Sequence, residues 1–190
     1  MCLYSKDRLD KTMYMQIATH DMVCYKMVTA FQKKGESKIT YCSPFCGDII
    51  PEDVINGKSP YCAKEKDLHI GEKWMVEMGY VHTYKNRPRV VPTEYQQIYE
   101  CIIPEGTVYY EGCTSAMKQE REGYASPTII FKKRIKVKLG KGKHLGIPTC
   151  AINSSSSEHN TGRYFVTGKF AEVVPVIDKF LELDTKNISL

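Results

Sequence analysis

Long apolar runs are missing from this chain. None approaches the ~18 residues that a membrane-spanning helix requires, so no transmembrane helix is expected. The opening residues, MCLYSKDRLDK, lack the apolar core of a signal peptide, and Cys2 lacks the hydrophobic segment that precedes a lipoprotein cysteine. Synthesis and residence in a cytoplasm follow as the expectation. Catalytic signatures are missing too. There is no Gly-x-Ser-x-Gly elbow, no His-Glu-x-x-His and no Cys-Gly-x-Cys-Trp element. Gly140-Lys141-Gly142-Lys143 does not complete a phosphate-cradling loop, and reads as a turn after a strand. Helix-turn-helix, RNP and zinc-finger patterns are absent as well. No cofactor is implied.

One charge sign is missing from a long stretch: residues 123–157 contain no Asp or Glu. Lys132, Lys133, Arg134, Lys136, Lys138, Lys141 and Lys143 lie within it. Outside these seven, the chain has 20 basic against 22 acidic residues, so the formal charge of +5 resides in this stripe. Such a stripe can steer an anionic partner, and it can equally be a solvated strand face kept soluble by lysine. Lys132, Arg134, Lys136, Lys138, Lys141 and Lys143 form the candidate anion or nucleic-acid surface. Same-face residues there repeat at ~6.6 Å, a pitch suited to a phosphate backbone.

What is present is otherwise ordinary for a globular protein: 190 residues, 42% hydrophobic and 26% charged. The eight cysteines are expected as free thiols in a reducing compartment. Cys42, Cys46 and Cys62 with His69 make a candidate metal set, but the second close pair of a structural zinc site is lacking. The reading without metal is three thiols in a Pro-rich loop.

Leu9, Met13 and Ile17 have helical spacing and predict a short helix near the start, while Thr12–Met15 reads equally well as extended chain. MVCYKMVT (22–29) predicts a strand and Lys38–Cys42 its return. PEDVING predicts a helical turn, opened by Pro51 and closed at Gly57. Asp67–Ile70 and Met78–Tyr84 are candidate strands, and Thr93–Ile98 a candidate helical turn. Tyr99–Ile103, the turn Pro104-Glu105-Gly106 and Thr107–Glu111 read as strand, turn, strand. Gly112–Ser126 reads as a polar surface excursion. Thr128–Leu139 predicts the longest strand, an edge strand or arm, with odd residues in the core and a basic even face. Residues 146–162 read as a Ser/Asn-rich linker. Arg163–Val174 predicts strand and Pro175–Leu183 a short helix. The expected class is α+β, mainly antiparallel sheet with two or three short helices. It divides into a domain over 1–145, the linker, and a strand–helix segment over 163–190 that packs on that domain or on a partner.

MGYVHTYK, YECIIPEGTVYYEG and YASPTIIFKK resemble segments of a loose group of bacteriophage and gut Bacteroidetes proteins, over roughly residues 22–135. That resemblance implies a phage-like origin, with host cytoplasm or virion as the location. Ile103-Pro104-Glu105-Gly106-Thr107 also resembles a motif of the ADP-ribosyltransferases. Lys26 stands where that family has Arg or His, Val81-His82-Thr83 replaces Ser-Thr-Ser, and Ser126-Pro127-Thr128 lacks the family's Glu. The resemblance implies a nucleotide pocket at Lys26, Tyr80, His82 and Tyr84, without the carboxylate that would hold the ribose.

The leading expectation is a non-catalytic binding or accessory protein working through protein–protein contacts, with a protein partner or a second copy of itself and no membrane. A nucleotide- or nucleic-acid-binding protein using residues 132–143 is the alternative, and an ADP-ribosyltransferase-like enzyme the third.

Overall fold

The computed structural model describes residues 3–4, 13–44, 48–63, 75–76, 80–91, 94–114, 121–139, 173–176 and 181–182. In chain order the elements are β1 (Leu3–Tyr4), β2 (Gln16–Ile17), β3 (Met22–Lys33), β4 (Ile39–Cys42), β5 (Ile49–Ile50), α1 (Glu52–Ile55), β6 (Tyr61–Cys62), β7 (Met75–Val76) and β8 (Val81–Tyr84). They continue with β9 (Val90–Val91), β10 (Gln96–Ile103), β11 (Val108–Thr114), β12 (Arg121–Ser126), β13 (Thr128–Ile135), β14 (Val137–Leu139), β15 (Val173–Pro175) and β16 (Leu181–Glu182). Two compact units contain them. One is drawn from residues 1–26, 52–88 and 98–135, the other from 27–51, 89–97 and 136–190.

The expected α+β class is incorrect. The described residues are mostly antiparallel sheet, and the one helix has four residues. Residues 13–17 are extended: Gln16 and Ile17 pair with Tyr109 and Val108. Gln96 and Gln97 begin β10 instead of ending a helical turn. Val173–Pro175 pairs with β3, in line with the strand expected to run to Val174, whereas Leu181–Glu182 pairs with β14 inside the stretch expected as a helix. Helical spacing in a short window carries little weight against a ladder that satisfies every backbone group along its length.

In the first unit the strands run β6-β13-β10-β3-β8-β12-β11-β1-β7, with β2 alongside β11. The Pro104–Gly106 turn forms as expected, with Gly106 at φ 79°. Its two strands are not neighbours, however: β3, β8 and β12 lie between β10 and β11. The turn is fastened instead by residues 18–21. The Gly106 amide donates to the Ala18 carbonyl at 2.8 Å, the Ala18 amide to the Thr107 carbonyl at 2.9 Å, and the Glu105 amide to Asp21 Oδ1 at 3.0 Å.

Gly112–Ser126 is likewise not a surface excursion over its described part. β11 extends to Thr114, and Arg121–Ser126 is an interior strand between β8 and β11. Its polar end is accommodated because Ser126 Oγ donates to the Thr128 carbonyl at 3.0 Å. Tyr110, Tyr80, Ala125, Leu3 and Met13 form an apolar cluster on one face, with Met15 packed against it. The Tyr80 and Tyr110 rings meet edge to face at 5.8 Å.

α1 follows its sequence signals. Glu52 and Asp53 occupy the first turn, and Gly57 is left-handed at φ 73°. The Lys58 amide donates to the Asp53 carbonyl and the Gly57 amide to the Val54 carbonyl, both at 2.9 Å, the two bonds of a Schellman cap. The cap seats Gly57 against the Phe131 backbone in β13.

In the second unit, residues 29–32 of β3 pair with β4 across the Gly35 turn, β4 pairs with β5, and β14 lies between β9 and β16 in parallel ladders. Val28, Phe31, Ile50, Val91 and Val137 are buried.

Candidate functional site

The basic residues of β13 do not share one face of the sheet. A β-bulge between β10 and β13 sets Cys101 opposite Phe131 but Glu100 opposite Lys133, leaving Lys132 as the extra residue. The bulge exchanges faces. Ile129 and Phe131 share one side of the sheet, while Lys133 and Ile135 lie on the side of Glu100 and Ile98. Ile129, Phe131, Ile135 and Val137 are buried as expected, but the bulge puts Ile135 on the other side of the sheet from Ile129 and Phe131, so the odd residues do not form one face. Lys133 pairs with Glu100 at 3.2 Å, and Arg134 is half-buried. β13 is also not an arm, since it pairs with β6 on one side and β10 on the other. Lys132, Lys133 and Arg134 belong to the first unit; Lys136 and Lys138 belong to the second, both exposed. Lys141 and Lys143 lie outside the described residues.

The four residues of the expected nucleotide pocket are all buried. Lys26 is 5% exposed, and its Nζ donates to the His82 carbonyl at 3.0 Å. Tyr80 belongs to the apolar cluster, and Tyr84 stands opposite Tyr25 in the β3–β8 ladder. Lys26 has two buried thiols for company, Cys24 and Cys101. Burial pushes the Cys24 thiol up to about 12, opposed by the neighbouring Thr83 hydroxyl and the Lys26 ammonium. Burial likewise holds Cys101 well above its ordinary value. Both thiols are therefore protonated and weakly nucleophilic at neutral pH.

This has a consequence at high pH. The folded chain keeps these protons to a higher pH than the unfolded one, where a thiol titrates near 9.0. Stability is full below that value and falls as pH rises toward the folded value, by up to about 1.4 kcal/mol per pH unit for each thiol. Urea titrations from neutral to alkaline pH check the slope, and the double variant Cys24→Ser/Cys101→Ser should flatten it. An unchanged slope in that variant would refute the assignment.

Of the candidate metal set, Cys42 is disulfide-bonded, which departs from the expected free thiol and removes it as a thiolate ligand. Cys62 is an exposed thiol 3.5 Å from Thr128 Oγ1. Cys46 and His69 lie outside the described residues, among which no group of three metal-ligating side chains occurs.

The arrangement that sequence reading missed lies on the face of β8, β12 and β11. Lys85 Nζ reaches across β12 to Glu111 Oε1 at 2.7 Å. Asn86 Nδ2 donates to Glu122 Oε2 at 3.4 Å. Tyr109 donates its hydroxyl to Gln16 Oε1 at 2.7 Å and meets Tyr124 edge to face at 5.6 Å. Burial, then the Glu111 carboxylate, raise the Tyr109 phenol above its ordinary value, with Lys85 opposing. The phenol is a neutral hydrogen-bonding group at physiological pH.

Gln16 links this row to β2, which pairs only with β11 among the described residues. Beside it are two of the largest exposed apolar side chains of the unit, Tyr14 at 58% and Ile17 at 61%. The alternation of Met13 and Met15 with Tyr14 and Gln16 is the available signal, and of the two readings of this stretch the extended one holds. No helix among the described residues is long and apolar enough to cross a membrane. No protein-family model, curated protein or solved structure matches the chain.

Proposed function

We propose that the protein is a non-catalytic binding protein that engages another protein chain through the β2 edge and the adjoining Tyr109 row. The observation that carries this reading is a short edge strand, without a second neighbour among the described residues, in which Ile17 is exposed, with Tyr14 exposed two residues before it. An open strand edge offers backbone donors and acceptors to an incoming strand, and exposed apolar side chains give that pairing its driving force. The neighbouring polar groups favour recognition over proton transfer. Lys85 is committed to Glu111, and the Tyr109 phenol is held to Gln16 with its acidity suppressed.

The test is a benzophenone photo-cross-linker placed at Tyr14 in cells that make the protein, read alongside light scattering of the purified chain. A discrete protein adduct, from a partner or from a second copy, is expected. Ile17→Asp should weaken its formation about 10- to 100-fold, the equivalent of losing one buried aliphatic side chain. A strictly monomeric chain that gives no adduct, or adducts indifferent to Ile17→Asp, would sink the reading.

A further inference from the structure

We infer that the chain engaged at the β2 edge is an extended segment of another protein that carries a Lys or Arg between apolar residues. This rests on the β2-edge reading and adds the chemistry of the partner. Among the described residues of the first unit, the exposed large apolar side chains are Tyr14, Ile17 and Val23, the last at 51%. All three belong to the stretch from β2 to the start of β3. The chain between Ile17 and Val23 is tied down at the Pro104–Gly106 turn. The Ala18 amide donates to the Thr107 carbonyl, the Ala18 carbonyl accepts from the Gly106 amide, and Asp21 Oδ1 accepts from the Glu105 amide. Ile17 stands opposite Val108, next to Thr107, and Val23 is the second residue of β3. The two apolar groups are therefore set at the ends of a short fastened segment, and little ordering remains to oppose binding.

Two carboxylates lie between them. Asp21 and Glu105 are both exposed, and the bond from the Glu105 amide to Asp21 Oδ1 at 3.0 Å keeps the two residues adjacent. Neither forms an ion pair among the described residues. The stretches that build this surface, residues 13–25 and 101–114, contain no Lys or Arg, and their other acid, Glu111, is paired with Lys85. Backbone pairing at an open edge is the same for every incoming sequence, so side chains must supply the selectivity. Carboxylates flanked by apolar groups favour a cation flanked by apolar groups, and they repel an acidic segment. A second copy offering this same stretch brings no Lys or Arg to meet them.

The test is selection from a displayed library of random ten-residue peptides on the purified full chain. Peptides with a Lys or Arg flanked by apolar residues should be enriched, and Glu105→Lys should turn the selection toward acidic peptides. A selected peptide, synthesised with a fluorescein label, is then titrated by anisotropy. Asp21→Asn/Glu105→Gln should weaken it about 2- to 30-fold, the loss of two exposed charge contacts, and flatten its dependence on salt. Asparagine keeps an oxygen to accept from the Glu105 amide, so the turn stays fastened, and circular dichroism verifies the fold. Ile17→Ser should weaken every peptide whatever its charge, and so reports on the edge itself. Peptides that depend on Ile17 but lack Lys and Arg, or that bind the Asp21→Asn/Glu105→Gln variant equally well, would overturn this inference and leave the β2 edge standing. No selected peptide, with the Tyr14 cross-link joining two copies, would overturn it and assign the edge to a second copy. No peptide and no cross-link would overturn both.

Discussion

Replacing Gly57 by Ala should cost about 3 kcal/mol or more, with a fall in Tm of about 6–12 °C. Two separate effects meet at this residue. At φ 73° a side chain is strained against its own backbone, at about 1–2 kcal/mol. In addition, an added Cβ would overlap the carbonyl oxygen of Phe131. That oxygen belongs to a strand paired on both sides, so it cannot yield without disturbing Phe131, which is buried against Tyr99 at 5.5 Å and Tyr61 at 6.1 Å.

Gly106 is the matched control. Its φ is 79°, yet nothing lies within 4 Å of its added Cβ. Gly106→Ala therefore carries the conformational cost alone, about 1–2 kcal/mol. Thermal or urea unfolding of the two variants measures the difference. Equal losses would show that the α1 cap does not press against β13.

Tyr110→Ala should be as severe, at about 3–5 kcal/mol. Tyr110 is fully buried, with Tyr80 edge to face against it and Leu3, Met13 and Ala125 around it. Removing the ring leaves a cavity among strands whose backbones are fixed by pairing, so collapse cannot fill it. Tyr109 gives the contrast. It faces the opposite side of β11, where its hydroxyl is bonded to Gln16. Tyr109→Phe removes that bond and keeps the ring, at about 0.5–1.5 kcal/mol. Urea unfolding of both variants decides the matter. A Tyr109→Phe loss equal to that of Tyr110→Ala would mean that the assignment of faces is wrong.

The adjacent tyrosines show how far residue pattern reaches. Alternation establishes that Tyr109 and Tyr110 point to opposite sides of a strand, but the strand reads the same with either one inward. The choice follows from what lies across the ladder: Ala125 opposite Tyr110, and Gln16 opposite Tyr109. Gln16 is 93 residues away in sequence, so no local window contains the answer. β12 was illegible for a related reason. REGYAS has the composition of a loop, and only strands on both sides make it the interior of a sheet.

The basic stripe was legible as charge and illegible as geometry. Its missing carboxylates can be counted in the sequence. The bulge at Lys132 cannot, because an extra residue on one strand is defined only against the strand it pairs with. Arg89 gains Lys138 as a backbone neighbour only through the β9–β14 pairing.

The sequence by itself determined what depends on the backbone preferences of neighbouring residues. These are the strand over 22–29 and its return, the α1 turn between Pro51 and Gly57, and the Pro104–Gly106 reversal. Each rests on β-branched alternation, a fixed proline φ or a glycine that takes a positive φ, and each acts within a few residues. The tertiary structure alone decided which strands are neighbours, which face of each is buried, and that the Pro104–Gly106 turn joins strands that do not pair. Strand pairing joins residues distant in sequence through identical backbone groups, so the energy that selects partners lies in side chains the local sequence does not contain.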